Sequence, residues 1–268
     1  MLLVLILALA WTQGGNETSL SPIAQAAIRT QHSPGARFSF HGTSQRNALS
    51  HPIAMSGKGM FNGQTNRSQT AMTIRGPDGE AEMEGVGSGS QAYYKSKLLQ
   101  PALPPGDEWL GLDLSLGISS ETAVAANSDP SVQLDLLRAV SDKFETLGRE
   151  KIRGLEATVY RSTFDSKGYA DYLRGKGSVN EAQQYERLAE VAPSTTEVEV
   201  WVDSKKLVRR MRMQTESHDP HSGEEISTEV AADFYEFGIS PDIDLPDSDT
   251  VYDATPKIRA KLGLDDAH

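Results

Sequence analysis

TEVEVWVDSKKLVRRMRMQT, residues 196–215, sets two runs of β-branched and bulky residues around a polar break, Asp203-Ser204-Lys205-Lys206. A break this short fits a hairpin loop. In the first run Val198, Val200 and Val202 alternate with Glu197, Glu199, Trp201 and Asp203. In the second, Leu207, Arg209, Met211 and Met213 share one face, and Val208, Arg210, Arg212 and Gln214 share the other. Alternation with period two predicts an antiparallel sheet with one wet face and one covered face. Whether protein or ligand covers that face is the functional question.

The same rhythm runs through the N-terminal half. Ala36–Arg46 carries Phe38 and Phe40 in alternation, and Met55–Asn62 carries Met55 and Met60 among glycines. Arg67–Arg75 sets Thr70, Met72 and Ile74 against Ala71 and Thr73, and Glu80, Glu82 and Glu84 alternate with Ala81 and Met83. Gln91–Lys95 follows with Tyr93 and Tyr94. Breakers at Asn62-Gly63, Gly76-Pro77-Asp78-Gly79 and Gly85 to Gly89 recur at about ten-residue spacing, the rhythm of a meandering sheet. Between Met55 and Met83, glycine, alanine, threonine and methionine outnumber leucine and isoleucine. Small and flexible side chains line an adaptable cavity well; a thin core under a helix, with methionine as gap-filler, would use them too.

Outward from these runs the chain alternates between further strands and helices. Ser21-Pro22 opens a short helix with a serine cap and proline at its first position. Asp107–Leu114 reads as a short or edge strand, Ser119–Asp129 as loop, and Asp129-Pro130 as the start of a helix buried through Val132, Leu134, Leu136, Leu137 and Val140. Phe144–Arg153 and Leu155–Phe164 read as strands around Gly154. Gly168 to Val191 reads as two short helices around Gly175-Lys176-Gly177-Ser178. A last strand puts Ile226, Thr228, Val230, Ala232 and Phe234 on one face. The tail after Gly238 is acidic and proline-broken, and reads as irregular with a short helix near Pro256–Leu262. The expected division is a signal-like segment and spacer over 1–15, one domain over 16–252 and an acidic tail over 253–268.

Composition bounds the function. Of 268 residues 38% are hydrophobic, the globular range once glycine is included. A net charge of −11 argues against nucleic acid as a partner, because that role needs a basic footprint. The densest basic cluster is Lys205, Lys206, Arg209, Arg210 and Arg212. There are no cysteines, hence no disulfides, thiolate metal sites or cysteine nucleophiles. MLLVLILALA at Met1–Ala10 falls short of the roughly 20 apolar residues of a bilayer span. It fits the apolar core of a secretory signal with Ala8-Leu9-Ala10 as an A-x-A-like cleavage site, although no basic flank precedes it.

Catalytic signatures do not stand out. His218 and His221 lie in a polar loop with Asp219 and Glu224, without the helical spacing that would converge them on a metal. Gly85-Val86-Gly87-Ser88-Gly89 lacks the strand-then-helix setting of a phosphate loop and reads as a glycine hairpin. No serine sits in a G-x-S-x-G elbow, and Asp107 and Glu108, adjacent on a strand, face opposite ways. The expectation is a protein that is not an enzyme, with no cofactor and no metal.

Three segments, taken in order, resemble one family. They are Asp129-Pro130 with Leu134 and Leu137-Arg138; Gly148 with Ile152-Arg153-Gly154-Leu155-Glu156-Ala157-Thr158-Val159-Tyr160; and Val200-Trp201-Val202-Asp203 with Leu207-Val208-Arg209-Arg210-Met211. Together they are similar to the LolA/LppX-like lipoproteins, cell-envelope relatives of periplasmic lipoprotein carriers, across about Ile23 to Tyr252. The resemblance implies an α+β fold: a strongly bent antiparallel sheet, or half-open β-barrel, closed by helices on its concave face. It further implies an apolar cavity for a lipid or acyl-chain ligand and an exported protein of the cell envelope or extracellular space. Two departures stand out: no lipobox cysteine follows the signal, and Lys206 stands where glycine often precedes the Leu-Val-Arg-Arg run.

On this reading Phe38, Phe40, Met55, Met72 and Met83 line the cavity, with Trp201, Met211 and Met213 as further candidates. Arg209, Arg210 and Arg212 would meet a headgroup or a partner, and peripheral membrane contact is a further expectation for the protein. The alternative is an envelope sensor or scaffold of the same fold that binds a partner protein.

Overall fold

Residues 196–215 fold as the sequence suggests, into two paired strands of one large sheet. The computed structural model describes residues 21–46, 51–77, 79–113, 144–175, 194–218 and 223–257, with a few single positions besides. In chain order the strands are β1 (Ala36–Arg46), β2 (Ile53–Asn62), β3 (Arg67–Gly76), β4 (Gly79–Ser88), β5 (Gln91–Lys95) and β6 (Trp109–Asp113). They continue as β7 (Glu145–Ile152), β8 (Leu155–Asp165), β9 (Ser194–Asp203), β10 (Val208–His218), β11 (Glu225–Tyr235) and β12 (Val251–Asp253). Two ten-residue α-helices accompany them, α1 (Pro22–Gln31) and α2 (Ser166–Gly175).

All twelve strands belong to one sheet, ordered β12-β6-β5-β4-β3-β2-β1-β11-β10-β9-β8-β7. Two meanders, β1 to β6 and β7 to β11, therefore join where β1 pairs with β11 in the middle. Pairings are antiparallel throughout except β12 with β6, which is parallel. The sheet is open and curved, with β7 and β12 at its edges. Closure of the concave face by helices is not shown: the described residues are mostly strand, and the two described helices are short beside the sheet. Each rises about 15 Å, whereas the seven strands from β4 to β9 span about 30 Å.

Local chemistry explains the turns. At the β9–β10 hairpin Lys206 donates its N–H to the Asp203 carbonyl (2.9 Å) and Asp203 donates to the Leu207 carbonyl (3.0 Å). The three-residue loop ends on Lys206 at φ +58°, the left-handed position that favours glycine. Lysine thus keeps the backbone that the missing glycine would have adopted. At the β7–β8 hairpin Arg153 (φ 49°) and Gly154 (φ 83°) form a two-residue turn with both angles positive, which suits the twist of the flanking strands. Of the glycine run, Gly85 to Ser88 continue β4, and the turn to β5 is made at Gly89 (φ 60°) and Ser90.

The first turn of α1 is fixed by its cap. Ser21 Oγ accepts from the Ala24 N–H (3.1 Å), with Pro22 following it. Ile23, Ala26, Ala27 and Thr30 face inward against β9 and β10. Thr30 Oγ1, fully buried, accepts the Val208 N–H at 2.9 Å.

Two expectations are corrected. The pairing of β10 with β9 shifts between Val208 and Arg210, so a β-bulge at this point breaks the alternation assigned to residues 207–213. Val208 consequently joins Met211 and Met213 in the core instead of facing away from them. The tail after Gly238 is not irregular throughout, since Val251–Asp253 adds strand β12. The expected helix over Asp129–Val140 and the signal-like segment lie outside the described residues, save Leu137. That residue is helical and fully buried.

Candidate ligand face of the sheet

The strand registers convert the alternating sequence into rows that cross the sheet. Met83, Met72, Gly57, Phe40, Ala232 and Met211 are successive cross-strand partners, and Val200 extends the row onto β9. The neighbouring row runs through Ile74, Met55, Gly42, Val230, Met213 and Val198. Both rows lie on the covered face, and five of the seven methionines of the chain stand in them. Phe38, Phe40, Met55, Met72, Met83, Met211 and Met213 belong to one buried cluster, with Leu137 among them. Leu137 falls in the passage from β6 to β7, which takes the chain from one side of the sheet to the other.

The two phenylalanines are held by glycines. A Cβ on Gly57 would lie 2.7 Å from the Phe40 ring, and one on Gly59 would lie 2.5 Å from that of Phe38. Each ring therefore lies over a partner strand at a place where no side chain can stand. Phe38, Phe61 and Phe234 form an aromatic knot with centroid distances of 6.4 Å. The knot sits at the α1 end of the face, where Gly238 donates to the Gly35 carbonyl and Arg67 to that of Ile243. That end is sealed. The methionines occupy the middle, and their three rotatable bonds let them follow an irregular surface.

Trp201 stands elsewhere. It packs with Ile152, Ala157 and Val159 in a second cluster and donates its indole N–H to Glu150 (2.8 Å). Its strand neighbours Val200 and Val202 belong to the large cluster, which puts Trp201 on the opposite face.

The arginines are engaged with carboxylates. Arg209 binds Asp203 at 2.7 Å and stacks on Phe237, its guanidinium 4.6 Å from the ring centroid. Arg210 makes a two-pronged contact with Asp233 (2.6 and 2.9 Å), and Arg212 bridges Glu229 (2.9 Å) and Glu199 (3.4 Å). These hydrogen bonds hold the guanidinium groups of Arg210 and Arg212 above their usual pKa, so both remain cations. Arg210 and Arg212 alternate with Met211 and Met213 and belong to the face of Trp201, away from the methionine rows.

A polar row went unread in the sequence. On the side of the methionine rows away from α1, Ser44, Thr228, Thr215 and Thr196 are successive cross-strand partners. Ser44 Oγ lies 3.1 Å from Thr228 Oγ1, and Thr196 Oγ1 lies 3.0 Å from Thr215 Oγ1. Thr228 and Thr196 belong to alternating runs visible in the sequence, but only the registers reveal a four-strand line.

Among the described residues no group of three His, Asp or Glu side chains comes together to hold a metal. His218 lies 3.9 Å from Glu225 across the β10–β11 pair. No helix among the described residues is long and apolar enough to cross a membrane.

The structure has likenesses among solved proteins. The Mycobacterium tuberculosis lipoprotein LppX aligns over 83% of this chain and 96% of its own, with 13% identity and a TM-score of 0.44. LprF from Mycobacterium bovis aligns over 84% and 94%, with 11% identity and a TM-score of 0.41. A DUF1329 family protein from Desulfovibrio piger aligns over 85% and 94%, with 11% identity and a TM-score of 0.31. At these identities and TM-scores the likenesses assign no ligand and no role. No family profile and no curated protein matches the sequence.

Proposed function

We propose that the chain is an exported, non-enzymatic binding protein that holds a lipid or other acyl chain against the methionine rows of the sheet. One observation carries this reading: the covered face presents two adjacent apolar rows across at least six strands, in which methionine is the commonest residue, followed by valine and glycine. A face about 30 Å wide asks for something like three helices side by side if protein alone is to cover it. Its side chains are those that adapt to a variable guest. Withdrawing an acyl chain from water gains about 0.8 kcal/mol per methylene, so a chain of a dozen carbons is held without bond chemistry. Met55, Met72, Met83, Met211 and Met213 would touch the guest, with Phe38 and Phe40 forming the floor near α1.

Photolabelling tests this. A fatty acid carrying a diazirine near mid-chain, irradiated with the intact protein, is expected to mark peptides of β2, β3, β4 and β10. Labelling confined to β7, β8 or the exposed hairpins would contradict the assignment.

A further inference from the structure

We infer that the hydroxyl row Ser44–Thr228–Thr215–Thr196 receives the uncharged polar junction of the bound ligand, its ester carbonyl and adjoining hydroxyls, with the acyl chain running from there toward α1. This rests on the acyl-binding reading above and adds a direction and a chemical preference to it.

The covered face is graded along the strands. Next to α1 stand Phe38, Phe61 and Phe234, packed on one another and sealed by the segment around Gly238 to Ile243. The two methionine rows follow, and no charged side chain interrupts them from Ile74 to Val198 or from Met83 to Val200. The hydroxyl row comes next, and beyond it the same face carries Arg46, buried Ile226 and Ser217 near the strand ends. A guest inserted along this gradient has its apolar end at the aromatic knot and its polar end at the hydroxyls.

Burial makes the row more than a solvated strand end. Ser44 and Thr196 are 3% and 5% exposed, while Thr215 and Thr228 are half-buried. Each close pair uses one O–H as donor, so the second O–H of each pair and several lone pairs remain for a third group. Hydroxyls both donate and accept, which matches an ester with neighbouring alcohols better than it matches an isolated ion. Arg46, on the same face, lies one strand pleat farther out, about 7 Å from Ser44 along β1. Among the described residues no cation stands in the row itself, so a carboxylate seated among the hydroxyls would depend on Arg46 reaching back along β1. The arginines of β10 cannot supply one, because Arg210 and Arg212 lie on the other face.

Three probes of equal chain length separate the possibilities: monolauroylglycerol, laurate and dodecane, each displacing diphenylhexatriene from the full-length protein at pH 8. Monolauroylglycerol is expected to displace the dye at about tenfold lower concentration than either of the others. Replacing both members of a pair, Thr196→Val with Thr215→Val or Ser44→Ala with Thr228→Val, preserves shape and should leave the fold intact, as the thermal midpoint would show. Each double variant is expected to lose about fivefold of the monolauroylglycerol preference while dodecane stays unchanged, and Thr215→Ser with Thr196→Ser should restore it. Binding of all three probes with no glyceride preference, or a preference untouched by either double variant, overturns the hydroxyl assignment and leaves the acyl-binding reading standing. Failure of every probe to displace the dye, or of the dye to bind, overturns both.

Discussion

Asp203 ties the loop of the central hairpin to its own first residue. Its Oδ1 accepts from the N–H groups of Lys205 (2.8 Å) and Leu207 (3.0 Å), and its Oδ2 from Arg209. Asp203→Ala would strand two backbone donors and a guanidinium whose side chain is only 12% exposed. A loss of about 2–4 kcal/mol is expected, read as a lowered midpoint in urea unfolding. Lys206 works in the opposite sense: its positive φ costs a side-chain-bearing residue more than it costs glycine. Lys206→Gly should stabilise the protein by about 0.5–1 kcal/mol in the same assay, and Lys206→Ala should not. Both residues were legible in the sequence as a polar break, and Lys206 as a departure from the family pattern. The three hydrogen bonds that the Asp203 carboxylate accepts were not legible, because they depend on the loop folding back over its own first residue.

At the scale of elements, glycine placement governs how β1 and β2 carry the aromatic floor. Gly57→Ala would put a methyl 2.7 Å from both the Ala71 carbonyl oxygen and the Phe40 ring. The ring can turn, but the backbone oxygen cannot, so a loss of about 1–3 kcal/mol is expected, measured by thermal or denaturant unfolding. Gly79→Ala, with open space around the missing side chain but a φ of +121°, separates backbone strain from crowding. The strands themselves could be read from alternation and breakers, since β1 to β5 and β7 to β11 fall close to the expected runs. The bulge at Arg209 could not, because period-two reasoning assumes an unbroken pleat. Simple alternation groups Arg209 with Met211 and sets Val208 against it, and only the register puts Val208 inside. Strand β12 was hidden for a different reason: a three-residue strand has too few residues to show a period.

Over the whole molecule, the β1–β11 pairing is what turns two local meanders into a single surface. Neither meander alone would bring Met55 and Met72 of one half into line with Met211 and Met213 of the other. The two rows pass through Phe40–Ala232 and Gly42–Val230 at this seam. Glycine at position 42 leaves little room there, since a Cβ would come within 2.8 Å of the Glu229 carbonyl oxygen and 3.0 Å of Val230. The seam is therefore both a structural joint and the middle of the proposed binding face. Sequence patterning indicated a covered face but not its extent, because strand order is a property of pairings more than 180 residues apart.

Whether this face shelters an acyl guest is measured by native mass spectrometry of gently purified full-length protein. Discrete adducts of lipid mass are expected, removed by organic extraction and restored when monoacylglycerol is added back. A protein that flies at its bare polypeptide mass, takes up no added lipid and keeps the same thermal midpoint throughout would contradict the acyl-binding reading.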